Sequence, residues 1–137
     1  MKFTNKEIEY AIEMKELGLD WSPKNGDWCI DPYTDKKLLN PTIFYNQYEN
    51  DYNPAYLSNR IIEHPDRFIW LPLWHQCREI AEQYGYEIRL FDNSPRDGLV
   101  QVSLKNKEKK EAIVYYGETD LSAFYQCIIQ ILEKEKK

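Results

Sequence analysis

The chain is expected to be α+β: an antiparallel sheet, made of a C-terminal three-stranded meander plus one or two further short strands, packed against about three helices. Three observations predict this. Apolar residues recur at three- and four-residue spacing in three separate stretches, the mark of helices with one covered face. Three segments after Gly85 are strand-like, the first two alternating apolar and polar side chains with the two-residue period of a sheet covered on one side. They are joined by 93–98, a hairpin connection by composition, and by the charged turn 106–110, and so form a meander.

At the N-terminus, Thr4 with Glu7 fits a capping box, in which each side chain satisfies a backbone N–H at a helix start. Ile8, Ala11 and Ile12, with the stem of Lys15, make the inner stripe of this helix. Leu17 ends it and Gly18 closes it. Trp21 is expected to pack against that end. The run 22–27 holds Pro23 and the pair Asn25-Gly26, a turn in which one residue fixes its dihedral and the next accepts positive φ. Trp28-Cys29-Ile30 is a short strand candidate.

Residues 31–66 form an irregular Tyr/Asn/Pro-rich segment, because Pro32, Pro41, Pro54 and Pro65 puncture it. Thr42-Ile43-Phe44-Tyr45 can pair as a strand, and 54–62 can form a short helix with Pro54 at its start. Between them 46–53 is polar yet tyrosine-bearing.

The stretch Phe68 to Asp92 organises the fold. Phe68, Ile69, Trp70 and Leu71 are too short an apolar run for a helix, and Pro72 biases Leu71 towards extended geometry. Pro72 is then expected at the first helical position, with Leu73, Trp74, Cys77, Ile80, Ala81 and Tyr84 on the covered stripe. Gly85 closes this second helix. In the strand that follows, Tyr86, Ile88 and Leu90 face the core and Phe91 breaks the alternation on the outer side. Val100, Val102 and Leu104 mark the next strand and Ala112 to Tyr116 the third. Lys105, Lys107, Lys109 and Lys110 discourage pairing of sheet edges. Thr119 caps the last helix, whose Leu121, Phe124, Tyr125, Ile128, Ile131 and Leu132 share one face.

With 137 residues, a single domain covering 1–137 is expected, able to bury roughly 70% of its unfolded surface. A net charge of −5 opposes phosphate binding, so no nucleic acid is expected as a partner. The N-terminal fourteen residues carry charges among their apolar positions, unlike a signal peptide, and no run approaches a membrane span; a cytoplasmic location without membrane contact is expected. Cys29, Cys77 and Cys127 are odd in number and widely spaced, which fits neither a disulfide framework nor a zinc knuckle, and buried thiols acting as small hydrophobes are the expectation.

No catalytic constellation, metal motif or phosphate loop stands out, and neither a cofactor nor a metal is expected. His64 lies beside carboxylates but is read as a loop histidine, since no second ligand follows at fixed spacing. His75 falls on the polar side of the second helix, roughly 100° beyond Trp74. It therefore cannot partner Cys77 as a nucleophilic pair. Asp92, Arg96 and Asp97 are residue types that hairpin turns use. The aromatic content is the unusual feature, with four Trp and eleven Tyr. Tyr33, Tyr45, Tyr48, Tyr52 and Tyr56 crowd into the irregular segment, and tyrosine suits interfaces because it offers rigid area with a polar tip. A protein partner, or self-association, is expected there. The alternative is a small-molecule binder or small enzyme whose pocket lies between the second helix and the sheet, lined by Trp70, Trp74 and Tyr86.

Gly26-Asp27-Trp28 after a first helix, Trp70-Leu71-Pro72 opening a helix with Ile80 and Tyr84, and Gly117-Glu118-Thr119 before a final helix together resemble a group of small uncharacterised proteins from phages and prophages. The resemblance does not extend over 32–62. It implies a bacterial or phage origin and an accessory role, and it carries over no catalytic residue.

Overall fold

The first helix begins where its cap is chemically complete. In the computed structural model, which describes residues 3–24, 26–30, 42–43, 65–92 and 98–136, α1 spans Asn5–Glu16. The Thr4 hydroxyl accepts from Glu7 N at 3.0 Å, and Glu7 Oε1 accepts from Thr4 N at 2.7 Å. Gly18, at φ +96°, takes the left-handed turn that ends it.

The other elements are β1 (Trp28–Ile30), β2 (Thr42–Ile43), a 3₁₀ turn (Pro65–Arg67), β3 (Ile69–Leu71), α2 (Trp74–Gln83), β4 (Tyr86–Asp92), β5 (Val100–Asn106), β6 (Ala112–Gly117) and α3 (Asp120–Glu135). All strand pairs are antiparallel, in two sheets of order β2-β1-β3 and β4-β5-β6. The protein is α+β, with three α-helices among the described residues. The expected short strands exist but make a sheet of their own. Contacts divide the chain into two compact units, one of Met1–Phe3 with Asp20–Pro72, the other of Thr4–Leu19 with Leu73–Lys137.

In the first unit the short sheet is surrounded by aromatic contacts. Phe3 meets Trp28 edge-on with centroids 5.7 Å apart, and Trp21 stacks on Trp70 at 6.4 Å and 10°. Trp21 Nε1 donates to Asp27 Oδ2 at 2.9 Å, and Lys24 N donates to the same oxygen at 3.0 Å. A buried carboxylate that accepts both an indole and a backbone N–H explains the sharp turn read in 22–27. Within its own unit Trp21 packs on Trp70 and bonds to Asp27.

The second unit is built on α3. Leu121, Phe124, Tyr125, Ile128, Ile131 and Leu132 are buried as their spacing requires, and so are Ala123, Cys127 and Ile129 on other sides. The helix is covered more widely than one stripe because it packs on β5 and β6 and also against α1 and α2. Its partly exposed residues fall at four-residue spacing. Gln126 Nε2 donates to Tyr116 O (2.8 Å), Tyr115 Oη donates to Gln130 Oε1 (2.9 Å), and Lys134 Nζ reaches Glu111 Oε2 (3.2 Å). These bonds fasten the helix along β6.

Two local expectations change. Pro72 is not the first helical residue: Leu73 is the N-cap, and Gln76 Oε1 accepts from its N–H at 2.8 Å, so Pro72 precedes the cap. A register shift between Ile88 and Leu90 inverts the end of β4. Leu90 consequently turns away from the core at 46% exposure, while Phe91 packs on Trp74 with centroids 4.5 Å apart. One residue of slippage moves every later side chain to the other face.

Candidate functional site

The bulge in β4 creates the most distinctive surface of the second unit. On the sheet face away from α3, strand pairing sets three rows: Glu87, Lys105 and Ala112; then Leu90, Ser103 and Val114; then Asp92, Gln101 and Tyr116. Leu90, Val114 and Tyr116 are 46%, 43% and 54% exposed, and Leu99 before β5 is 40% exposed. Isolated exposed apolar residues need no explanation; here they lie on the two edge strands of one face, on either side of the polar Lys105, Ser103 and Gln101 of β5.

The first row continues into a shallow depression of ≈ 530 Å³ lined by Glu87, Arg89, Lys105, Lys107, Lys110 and Ala112. Four cations face one carboxylate, in a chain whose net charge is −5. Lys107 Nζ pairs with Glu87 Oε2 at 3.2 Å. Arg89, Lys105 and Lys110 have no ion pair among the described residues. The ordinary reading of such a cluster is a solvated face, and the sequence suggested edge protection. Edge protection does not account for Lys105, since β5 is the central strand, paired on both sides.

Asn106 holds this end of the sheet. Its side chain is 3% exposed; Oδ1 accepts from Glu108 N and Lys109 N, each at 3.0 Å, and Nδ2 donates to Tyr84 O at 3.3 Å. The turn so fixed places Lys110 at φ +54°, a left-handed conformation that glycine adopts at less cost. A second depression, of ≈ 560 Å³, lies on the other side of the turn among Glu82, Glu108, Glu135, Lys107 and Lys109. Its mixed charges favour no ligand sign.

Each residue expected to line a pocket has an aromatic or hydrogen-bonding partner. Trp74 packs on Phe91 and, edge-on at 4.8 Å, on Phe124; Tyr86 Oη donates to Glu111 Oε2 at 3.2 Å. Trp70 belongs to the first unit, where its ring stacks on Trp21. Neither depression described above includes any of the three. Tyr33, Tyr45, Tyr48, Tyr52 and Tyr56, the expected partner-binding residues, lie outside the described residues, as do His64, Arg96 and Asp97.

Buried polar chemistry in this unit runs against nucleophilic use. Burial, with the charge of Asp120 adding to it, holds the Cys77 thiol well above its ordinary pKa. Burial pushes Cys127 up to about 12, and its Sγ contacts Val102 O at 3.7 Å. A reactive cysteine needs the opposite shift and access to solvent. His75 is exposed, as its helical position required. Among the described residues no group of three or more His, Cys, Asp or Glu could hold a metal ion, and no helix is long and apolar enough to cross a membrane.

The signal for the open face was present only in part. The lysines around 105–110 are visible in the sequence, but Leu90 reads as a core residue until the bulge is known. No family model, curated protein or solved structure matches the chain, so the resemblance to phage and prophage proteins rests on its short motifs alone.

Proposed function

We propose that this chain is a non-catalytic protein-binding module, and that a segment of its partner docks on the face of the meander away from α3. The observation that carries this reading is Leu90 and Val114 on either side of Ser103, with Tyr116 beside Val114: exposed apolar side chains on the two edge strands of one face, flanked by Arg89, Lys105 and Lys110, which have no ion pair among the described residues. Apolar contact supplies affinity and a polar rim supplies orientation, the usual division in transient interfaces. The three buried thiols accord with action in a reducing compartment such as the cytoplasm.

The test places a photo-crosslinking amino acid at Tyr116, in the cells that make the protein, and compares it with the same group at Glu9 on α1. Support is a discrete adduct at Tyr116, absent at Glu9, that disappears in Leu90→Thr/Val114→Thr with the melting temperature unchanged. An adduct indifferent to that double substitution, or equal at both positions, refutes the reading. The tyrosine segment is separated by Tyr48→Ser/Tyr52→Ser: an adduct that persists in this variant assigns contact to the meander face alone.

A further inference from the structure

We propose that the segment received by this face is one amphipathic helix of a partner protein, with an acidic flank that lies over Arg89, Lys105 and Lys110. The inference rests on the docking reading above and adds the chemistry and size of the occupant.

Size comes first. Three strands about 4.8 Å apart and seven residues of about 3.3 Å rise give a face of roughly 14 by 23 Å, on the order of 300 Å². A stable two-copy interface needs about 800 Å² from each partner, so this face alone does not support one. A helix about 10 Å across, laid across the three strands, rests its apolar stripe on the middle and far rows and one flank on the first, with about two to three turns over the roughly 14 Å width. The opposite face of the same sheet already demonstrates the fit, because α3 packs there on β5 and β6.

Charge sets the orientation. The cations gather at the Glu87–Lys105–Ala112 end, while Leu90, Val114 and Tyr116 occupy the middle and far rows. An occupant with an apolar stripe and carboxylates along one flank satisfies both halves. A nucleic acid would use the cations and leave the apolar rows uncovered, against a chain of net charge −5. Lys110, at φ +54° in the turn, adds its charge to this end beside Arg89, Lys105 and Lys107.

The experiment uses the full chain and three fluorescein-labelled 18-residue peptides that share one leucine stripe and carry Glu, Gln or Lys on the flank. Anisotropy titration is expected to show the Glu peptide binding about tenfold more tightly than the Gln peptide, with the Lys peptide weakest. Lys105→Gln/Lys110→Gly is expected to erase the Glu preference, and glycine at φ +54° keeps the turn folded. Leu90→Thr/Val114→Thr is expected to abolish binding of all three.

Equal binding of the three peptides, still lost with Leu90→Thr/Val114→Thr, overturns the acidic flank and leaves the docking face standing. Absence of peptide binding while the Tyr116 adduct persists overturns the helix. Concentration-dependent self-association removed by Val114→Thr assigns the face to a second copy and overturns the inference. So does Lys105-dependent binding to anionic vesicles or duplex DNA that is indifferent to Leu90.

Discussion

Replacing Glu7 by Ala should uncouple two helix starts that are 112 residues apart in the chain. The carboxylate is 4% exposed and uses both oxygens: Oε1 accepts from Thr4 N at the head of α1, and Oε2 accepts from Thr119 Oγ1 at the head of α3, each at 2.7 Å. Thr119 Oγ1 in turn accepts from Ser122 N at 3.0 Å. A hydrogen bond to a charged group contributes about 1.5–3 kcal/mol. Thr4 is exposed, so water replaces one of the two bonds, whereas the Thr119 hydroxyl loses a partly buried acceptor. The expected net loss is about 2–3 kcal/mol, or a fall in melting temperature of about 6–12 °C for a chain of this size. Glu7→Gln keeps the shape and one of the two acceptors, its NH2 being able to donate to Thr119 Oγ1, and should lose about 1 kcal/mol. Urea denaturation followed by circular dichroism at the helix band measures both. A cycle with Thr119→Ala isolates the link, with an expected coupling of about 1–2 kcal/mol. A coupling near zero would show that Glu7 serves α1 alone and would refute the shared-cap reasoning.

Ile80→Asp should unfold the second unit, since an unpaired carboxylate at a 4% exposed position costs several kcal/mol, while exposed His75→Asp should be mild; equal melting temperatures would contradict the orientation of α2. Gly117→Ala places a Cβ 2.7 Å from Ala123 N, a backbone atom that cannot yield without moving α3, and should destabilise by about 1–3 kcal/mol in the same denaturation assay. The Lys134 hydrogen bond, and then its charge, hold the Glu111 carboxyl below its ordinary 4.5. Because the folded value is the lower one, the contribution of this pair is present above the ordinary value and is lost as pH falls through the folded value. Lys134→Met should therefore raise the Glu111 midpoint in a carboxyl NMR titration; an unmoved midpoint would deny the pairing.

By itself the sequence determined every element whose signal is local. Thr4 with Glu7 and Thr119 before α3 are caps made within four residues, and Gly18 and Gly85 close helices because only glycine takes φ near +90° cheaply. The stripe of α3 and the alternation in β5 follow from periods of 3.6 and 2, which need no knowledge of the partner surface. Only the tertiary structure decided what depends on pairing between distant residues. The bulge in β4 is a property of its register against β5, so the inversion that exposes Leu90 and turns Phe91 to Trp74 has no local signature. Likewise Lys105 is an edge residue or a face residue according to which strands flank β5, and only the β4-β5-β6 order sets that. The capping box of α1 is written in Thr4 and Glu7, but the second oxygen of Glu7 finds Thr119 only once α1 and α3 pack together.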